Sequence, residues 1–155
     1  MFRAPPGTFF GLRLGGDYGE AMQDGGSAEL TVTGQSMMPL LRDRVSRVRL
    51  AAVSQPKRGD MVLYRRQSGA YVLHRIAAIG ADGTYIMCGD AQTVLEPGIR
   101  RGQLLAVVTD FARGEKWCSC DRPGYRLWWR ARLAIGLCAI CGYAYADGSA
   151  QARGE

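Results

Sequence analysis

The chain is poor in the groups that usually announce a site. It has one histidine, His74, and only two lysines, Lys57 and Lys116, among 20 basic residues, so its basicity is almost wholly arginine. It has no apolar stretch of the ~20 residues that a bilayer-spanning helix requires. The nearest approach, "LAIGLCAICGYAYA" at 133–146, is fourteen residues long, and extending it backwards brings in Arg130 and Arg132. Residues 1–16, "MFRAPPGTFFGLRLGG", lack the apolar core of an export signal.

Each shortage narrows the function. A spanning helix is not expected, and without an export signal the expected location is the cytoplasm, where thiols stay reduced. A peripheral membrane contact through 127–146 is the alternative, because Trp128 and Trp129 are amphipathic rings and Arg130 and Arg132 can reach anionic headgroups. No helix-turn-helix, zinc-finger or RNA-binding aromatic motif accompanies the scattered arginines. The net charge of +6 and pI of about 9.3 therefore read as a solvated basic surface, and no nucleic-acid partner is expected. The five cysteines are an odd number. Cys118-Ser-Cys120 with Cys138-Ala-Ile-Cys141 offers four thiolates. The short spacing of the first pair and the apolar setting of the second argue against zinc. No metal and no organic cofactor is expected.

What is present is a globular composition: 155 residues, 47% hydrophobic and 22% charged, enough for one core and an appendage. Residues 1–27 are glycine-rich and irregular. Over 28–115 short β-prone runs follow one another between turn signals: "AELTVTG", "RVRLAAV", "DMVLYRR", "AYVLHRIAAIG", "TYIMCG" and "GQLLAVVTDFAR". The "ADG" between the fourth and fifth predicts a hairpin. This spacing, without intervening helices, predicts a mostly β fold, a coiled antiparallel sheet or barrel-like domain. Residues 116–155 read as a linker, a C-terminal helix over 127–146 and a loose tail.

Chemistry concentrates in "VTGQSMMPLL" at 32–41 and in what could activate its serine. A serine hydroxyl is unreactive near neutral pH unless a base takes its proton, and histidine, with a pKa near ~6.5, suits that role. In "YVLHRI" the alternation puts Val72, His74 and Ile76 on one face and Tyr71, Leu73 and Arg75 on the other. Two carboxylates follow in "CGDAQTVLEPGI": Asp90, which also suits a turn, and Glu96, before Pro97 and so in extended backbone.

The boxes "GQSMMPLL", "KRGDMVLYRR", "AYVLHRI" and "CGDAQ", in that order, resemble those of the signal peptidase/LexA-type serine peptidases over roughly residues 28–112. The resemblance implies a mostly antiparallel coiled β fold, Ser36 as nucleophile, and Arg58-Gly59-Asp60 at the start of a strand beneath the site. His74 stands where bacterial signal peptidases and LexA-type proteins have a lysine base, as in the endoplasmic-reticulum and archaeal enzymes. In that subgroup an acid in or just after the "GD" box assists the histidine, which leaves both Asp90 and Glu96 open, the latter departing from the aspartate expected there.

The expected activity is thus that of a serine endopeptidase acting through an acyl-enzyme. Ser36 attacks, His74 is the base, Glu96 or Asp90 orients the imidazole, and activity falls as pH drops through roughly 6 to 7. Gly34 turns the backbone and leaves room for a substrate carbonyl, the Ser36 N–H serves as oxyanion donor, and Met37 lines the substrate cleft. The partner is a peptide or precursor protein bound as an extended strand, a leader peptide or small secreted precursor being a candidate. The alternative is a self-processing or non-catalytic regulatory module that keeps the fold, with the glycine pairs at 15–16 and 25–26 as cleavable sequence.

Overall fold

The computed structural model describes residues 27–141, with side chains as far as 135. The expected N-terminal irregular segment up to residue 26, its glycine pairs, the tail from 142 and the second cysteine pair lie outside the described residues or side chains. Among the described residues there are eight strands: β1 Ala28–Thr31, β2 Arg47–Ala52, β3 Met61–Arg65, β4 Tyr71–Ile79, β5 Tyr85–Cys88, β6 Glu96–Ile99, β7 Leu104–Ala112 and β8 Trp117–Ser119. One helix follows, α1 Pro123–Cys141.

All strand pairings are antiparallel, in the order β1-β2-β7-β3-β4-β5-β6, with β8 added on β7. The sheet is mostly β as expected and stays open, not closed into a barrel. The β4–β5 hairpin turns at the "ADG", where the Gly80 N–H donates to the Thr84 carbonyl at 2.7 Å.

Two strands escaped the periodicity. "EPGI" forms β6 although Pro97 and Gly98 are poor strand residues, which an edge position tolerates. Trp117–Ser119, expected as linker, pairs with β7 instead. Its Trp117 ring lies 3.9 Å under the Arg49 guanidinium, a contact that helps hold so short a strand.

The central strands β3 and β4 are buried on both faces. Met61, Leu63 and Leu73 join a core with Leu30, Val48, Leu50 and Phe111, whereas Val62, Tyr64, Val72 and Ile76 join a second with Tyr85, Met87 and Ile99. This accounts for the nearly continuous apolar run in β4, where alternation separates two cores instead of core and water.

Helix α1 starts four residues before the expected boundary. Proline suits the first helical turn, where its missing N–H has no partner to lose. The helix is docked on its own sheet: Tyr125 sits in the first core, Trp128 and Trp129 pack against it, and Leu133 meets Ala77 and Cys88. Of the two placements expected for this helix, against its own sheet or on a membrane surface, the first is observed, with both tryptophans packed on the core and still partly exposed. Leu127 and Ile135 are the outward apolar residues, 70% and 72% exposed. Among the described residues no helix is long and apolar enough to cross a membrane.

The Arg58-Gly59-Asp60 turn fits under this helix. Gly59 has φ +95°, and a Cβ there would fall inside the Trp129 ring. Gly98 has a similar φ of +79° but open space around it. Gly59→Ala should therefore destabilise by roughly 3 kcal/mol, combining backbone strain and overpacking, against about 1 kcal/mol for Gly98→Ala. Urea unfolding of both variants, and of Gly59→Ala combined with Trp129→Ala, checks this. Equal losses in the two single variants would show that the helix does not press on the turn.

Candidate active site

The Ser36 turn is built by its neighbours. Gly34 takes φ +97°, a left-handed conformation suited to glycine, and its N–H donates to Asp43 Oδ1 at 2.8 Å. The turn then closes through the Met38 N–H on the Gln35 carbonyl at 3.1 Å and the Leu41 N–H on the Met37 carbonyl at 2.9 Å. The Met38–Pro39 peptide is cis.

Met37 does not line a cleft. It is 2% exposed and packs in the first core with Leu40 and Leu41, so it anchors the turn from below. Ser36 is half-buried, and among the described residues nothing accepts its N–H or bonds its hydroxyl.

The turn is pinned to the loop after β5. The Ala91 N–H donates to the Ser36 carbonyl at 2.8 Å, and a Cβ on Gly89 would lie 2.6 Å from that same oxygen. Glycine at 89 is thus a requirement of close approach. Since β5 pairs with β4 through Arg75 and Cys88, the "CGDAQ" box links the Ser36 turn to the strand that carries His74.

His74 and Arg75, consecutive and both buried, divide the two carboxylates between them. Arg75 is 1% exposed at the side chain and pairs with Asp90, itself 4% exposed, through Nε to Oδ1 at 2.8 Å and Nη2 to Oδ2 at 2.7 Å. Its Nη1 donates to the Gly59 carbonyl and to Tyr125 Oη, both at 2.8 Å. Burial alone would lower its pKa, but Asp90 more than offsets this and raises it. Arg132 of α1 donates to the Asp90 carbonyl. Asp90 is therefore committed to a structural ion pair, not to the imidazole.

On the opposite face His74 is 3% exposed. Its Nδ1 lies 3.3 Å from Tyr64 Oη, and Tyr64 donates to Glu96 Oε2 at 2.6 Å. Arg66 closes the chain with Nε to Oε1 at 2.8 Å and Nη2 to Oε2 at 2.7 Å. Burial opposes the charge on Glu96, yet the hydrogen bonds from Arg66 and Tyr64 hold its carboxyl below the usual range. Glu96 thus reaches the histidine through Tyr64, and no hydrogen bond joins Ser36 to His74 among the described residues.

Tyr64 and Arg66 were not among the residues singled out from the sequence. Their signal was the register of "DMVLYRR" against "AYVLHRI": Val62 opposes His74, which places Tyr64 diagonally beside it on the same face. Comparison with protein families, curated proteins and solved structures found no match to this chain.

Burial first, and the Arg66 charge second, push the His74 pKa down from 6.5 to about 4, against the pull of Glu96 and Asp90. Proton uptake by the ring, expected between pH 6 and 7, accordingly moves lower. The same shift makes stability pH-dependent. In the unfolded chain the ring takes its proton near ~6.5, whereas in the folded chain it waits until about 4. The unfolded state binds more protons in that window, so stability falls as pH drops through it, by about 3 kcal/mol in all. Urea unfolding at pH 7 and pH 4.5 should show this loss, and His74→Gln should remove most of it; an unchanged pH slope in the variant would refute the assignment.

Asp90→Asn leaves the Arg75 charge buried without its counter-ion and should lower the unfolding free energy by about 3 kcal/mol. Equilibrium denaturation reads this directly, and a loss below about 1 kcal/mol, the scale of an exposed pair, would contradict a buried pair.

Proposed function

We propose that the chain is a serine endopeptidase resembling the signal-peptidase type, with Ser36 as nucleophile and His74 as general base. The observation that carries this reading is the pinning of the Ser36 turn, through its carbonyl, to the loop that leaves the partner strand of the histidine strand. The core-anchored Met37 fixes the turn, and the Ser36 N–H, unpaired among the described residues, is a donor available to a developing oxyanion.

In this mechanism the Ser36 hydroxyl adds to the scissile carbonyl while the imidazole takes its proton. The same proton passes to the leaving amine as the peptide C–N bond breaks and an ester forms. Water, deprotonated by the imidazole, then opens the ester and restores Ser36. A base already neutral at pH 7 is ready for this cycle without prior loss of a proton. Substrate closure of the gap between Ser36 and His74 is part of the reading, since such hydrogen bonds are often long or absent before substrate binds. The substrate is a peptide or precursor protein in extended form.

The test is an acylating serine probe followed by mass mapping. Label should appear on Ser36, disappear in Ser36→Ala, and fall at least about a thousandfold in rate in His74→Ala. Ser36→Ala should retain the wild-type melting temperature, because the hydroxyl has no partner among the described residues. Label that survives Ser36→Ala, or no label at all on folded protein, would overturn the proposal and favour a non-catalytic module.

A further inference from the structure

We propose that Tyr64 is the positioning residue for His74: its hydroxyl, committed to Glu96, fixes the hydrogen on Nδ1 and leaves the lone pair on Nε2. This rests on the reading of His74 as the base.

The argument is a count of protons. A tyrosine hydroxyl has one hydrogen to donate and lone pairs to accept with. The Glu96 carboxylate is acceptor-only, and its Oε2 lies 2.6 Å from Tyr64 Oη, so that hydrogen is Tyr64's. Arg66 donates twice to the same carboxylate, which keeps it ionised and unable to return the favour. Tyr64 can then meet Nδ1, at 3.3 Å, only as an acceptor. The hydrogen in that contact comes from the ring. A neutral imidazole has a single N–H, so Nε2 is left as the proton acceptor.

The interposed phenol also changes the electrostatics. A carboxylate placed directly on Nδ1 would favour the imidazolium, whereas Tyr64 offers an oxygen lone pair without a full charge. Glu96 and its counter-ion Arg66 remain nearer the surface, with side chains 27% and 37% exposed. Tyr64 itself is wholly buried and its own pKa is raised, first by burial and then by Glu96, so it does not ionise. The ring is oriented without being charged.

The chain's one histidine makes the test direct. The full chain, labelled with ¹⁵N-histidine, gives a two-bond ¹H–¹⁵N spectrum of a single ring, in which the two neutral tautomers have distinct patterns. At pH 7 the wild type should show the Nδ1–H form. Glu96→Leu frees the Tyr64 hydrogen to turn toward Nδ1 and should convert the ring to the Nε2–H form. Tyr64→Phe should abolish the preference for Nδ1–H and slow acylation of Ser36 by the same probe about a hundredfold.

A wild-type ring in the Nε2–H form overturns the proposal without recourse to any variant, as does an unchanged Nδ1–H form in folded Tyr64→Phe. The spectrum does not depend on Ser36 reacting. A correct tautomer series with no probe label would therefore sink the peptidase reading alone, and a labelled Ser36 with the wrong tautomer would sink the Tyr64 assignment alone.

Discussion

The architecture depends on one buried guanidinium. Removing an arginine from water costs several kcal/mol unless its hydrogens are satisfied and its charge is matched. Arg75 makes four hydrogen bonds, two to the Asp90 carboxylate, one to the Gly59 carbonyl and one to Tyr125, and lies 5.6 and 5.8 Å from the Tyr125 and Trp128 ring centroids. These partners come from the loop after β5, from the turn before β3 and from α1. A single side chain thus makes the placement of three separate segments mutually dependent, and the loop it fixes is the one on which the Ser36 turn rests.

The preceding residue along β4, on the opposite face, meets the same difficulty differently. His74 enters the interior as a neutral ring, and the charges associated with it are held further out, on Glu96 and Arg66. Permanent charge is neutralised on one side of the strand and avoided on the other. The two carboxylates left open by the sequence differ in role for this reason: Asp90 meets the β4 cation directly, whereas Glu96, paired with Arg66, reaches the β4 imidazole only through a phenol.

Much of this was legible in the residues, and what was hidden is hidden for identifiable causes. The β runs at 28–34, 47–53, 60–66, 70–80, 84–89 and 102–113 each contain an observed strand because alternation and glycine-bearing turns are local properties. The opposite facings of His74 and Arg75 follow from the same alternation. Strand β6 was obscured because Pro97 and Gly98 speak against a strand locally, and its pairing with β5 overrides them. Met37, expected at the cleft, lies in the core because the depth of the turn is a tertiary property. The role of Tyr64 depends on the offset between two strands, which is a tertiary quantity even when both strands are evident.

The alternation in β4 also bears on how the chain finds its pairing while folding. Sliding this strand by one position relative to β3 and β5 would exchange the sides on which its polar residues emerge. The guanidinium would then lose Asp90, and the imidazole would be left against a carboxylate and two aromatic rings shaped for a longer cation. Apolar neighbours such as Val72, Leu73, Ile76 and Ala77 are poor at rejecting that slip, since either core accepts them. His74 and Arg75 together therefore act as a proofreading mark for strand alignment, so that the chemistry which defines the candidate site also helps to select the only register in which the site exists.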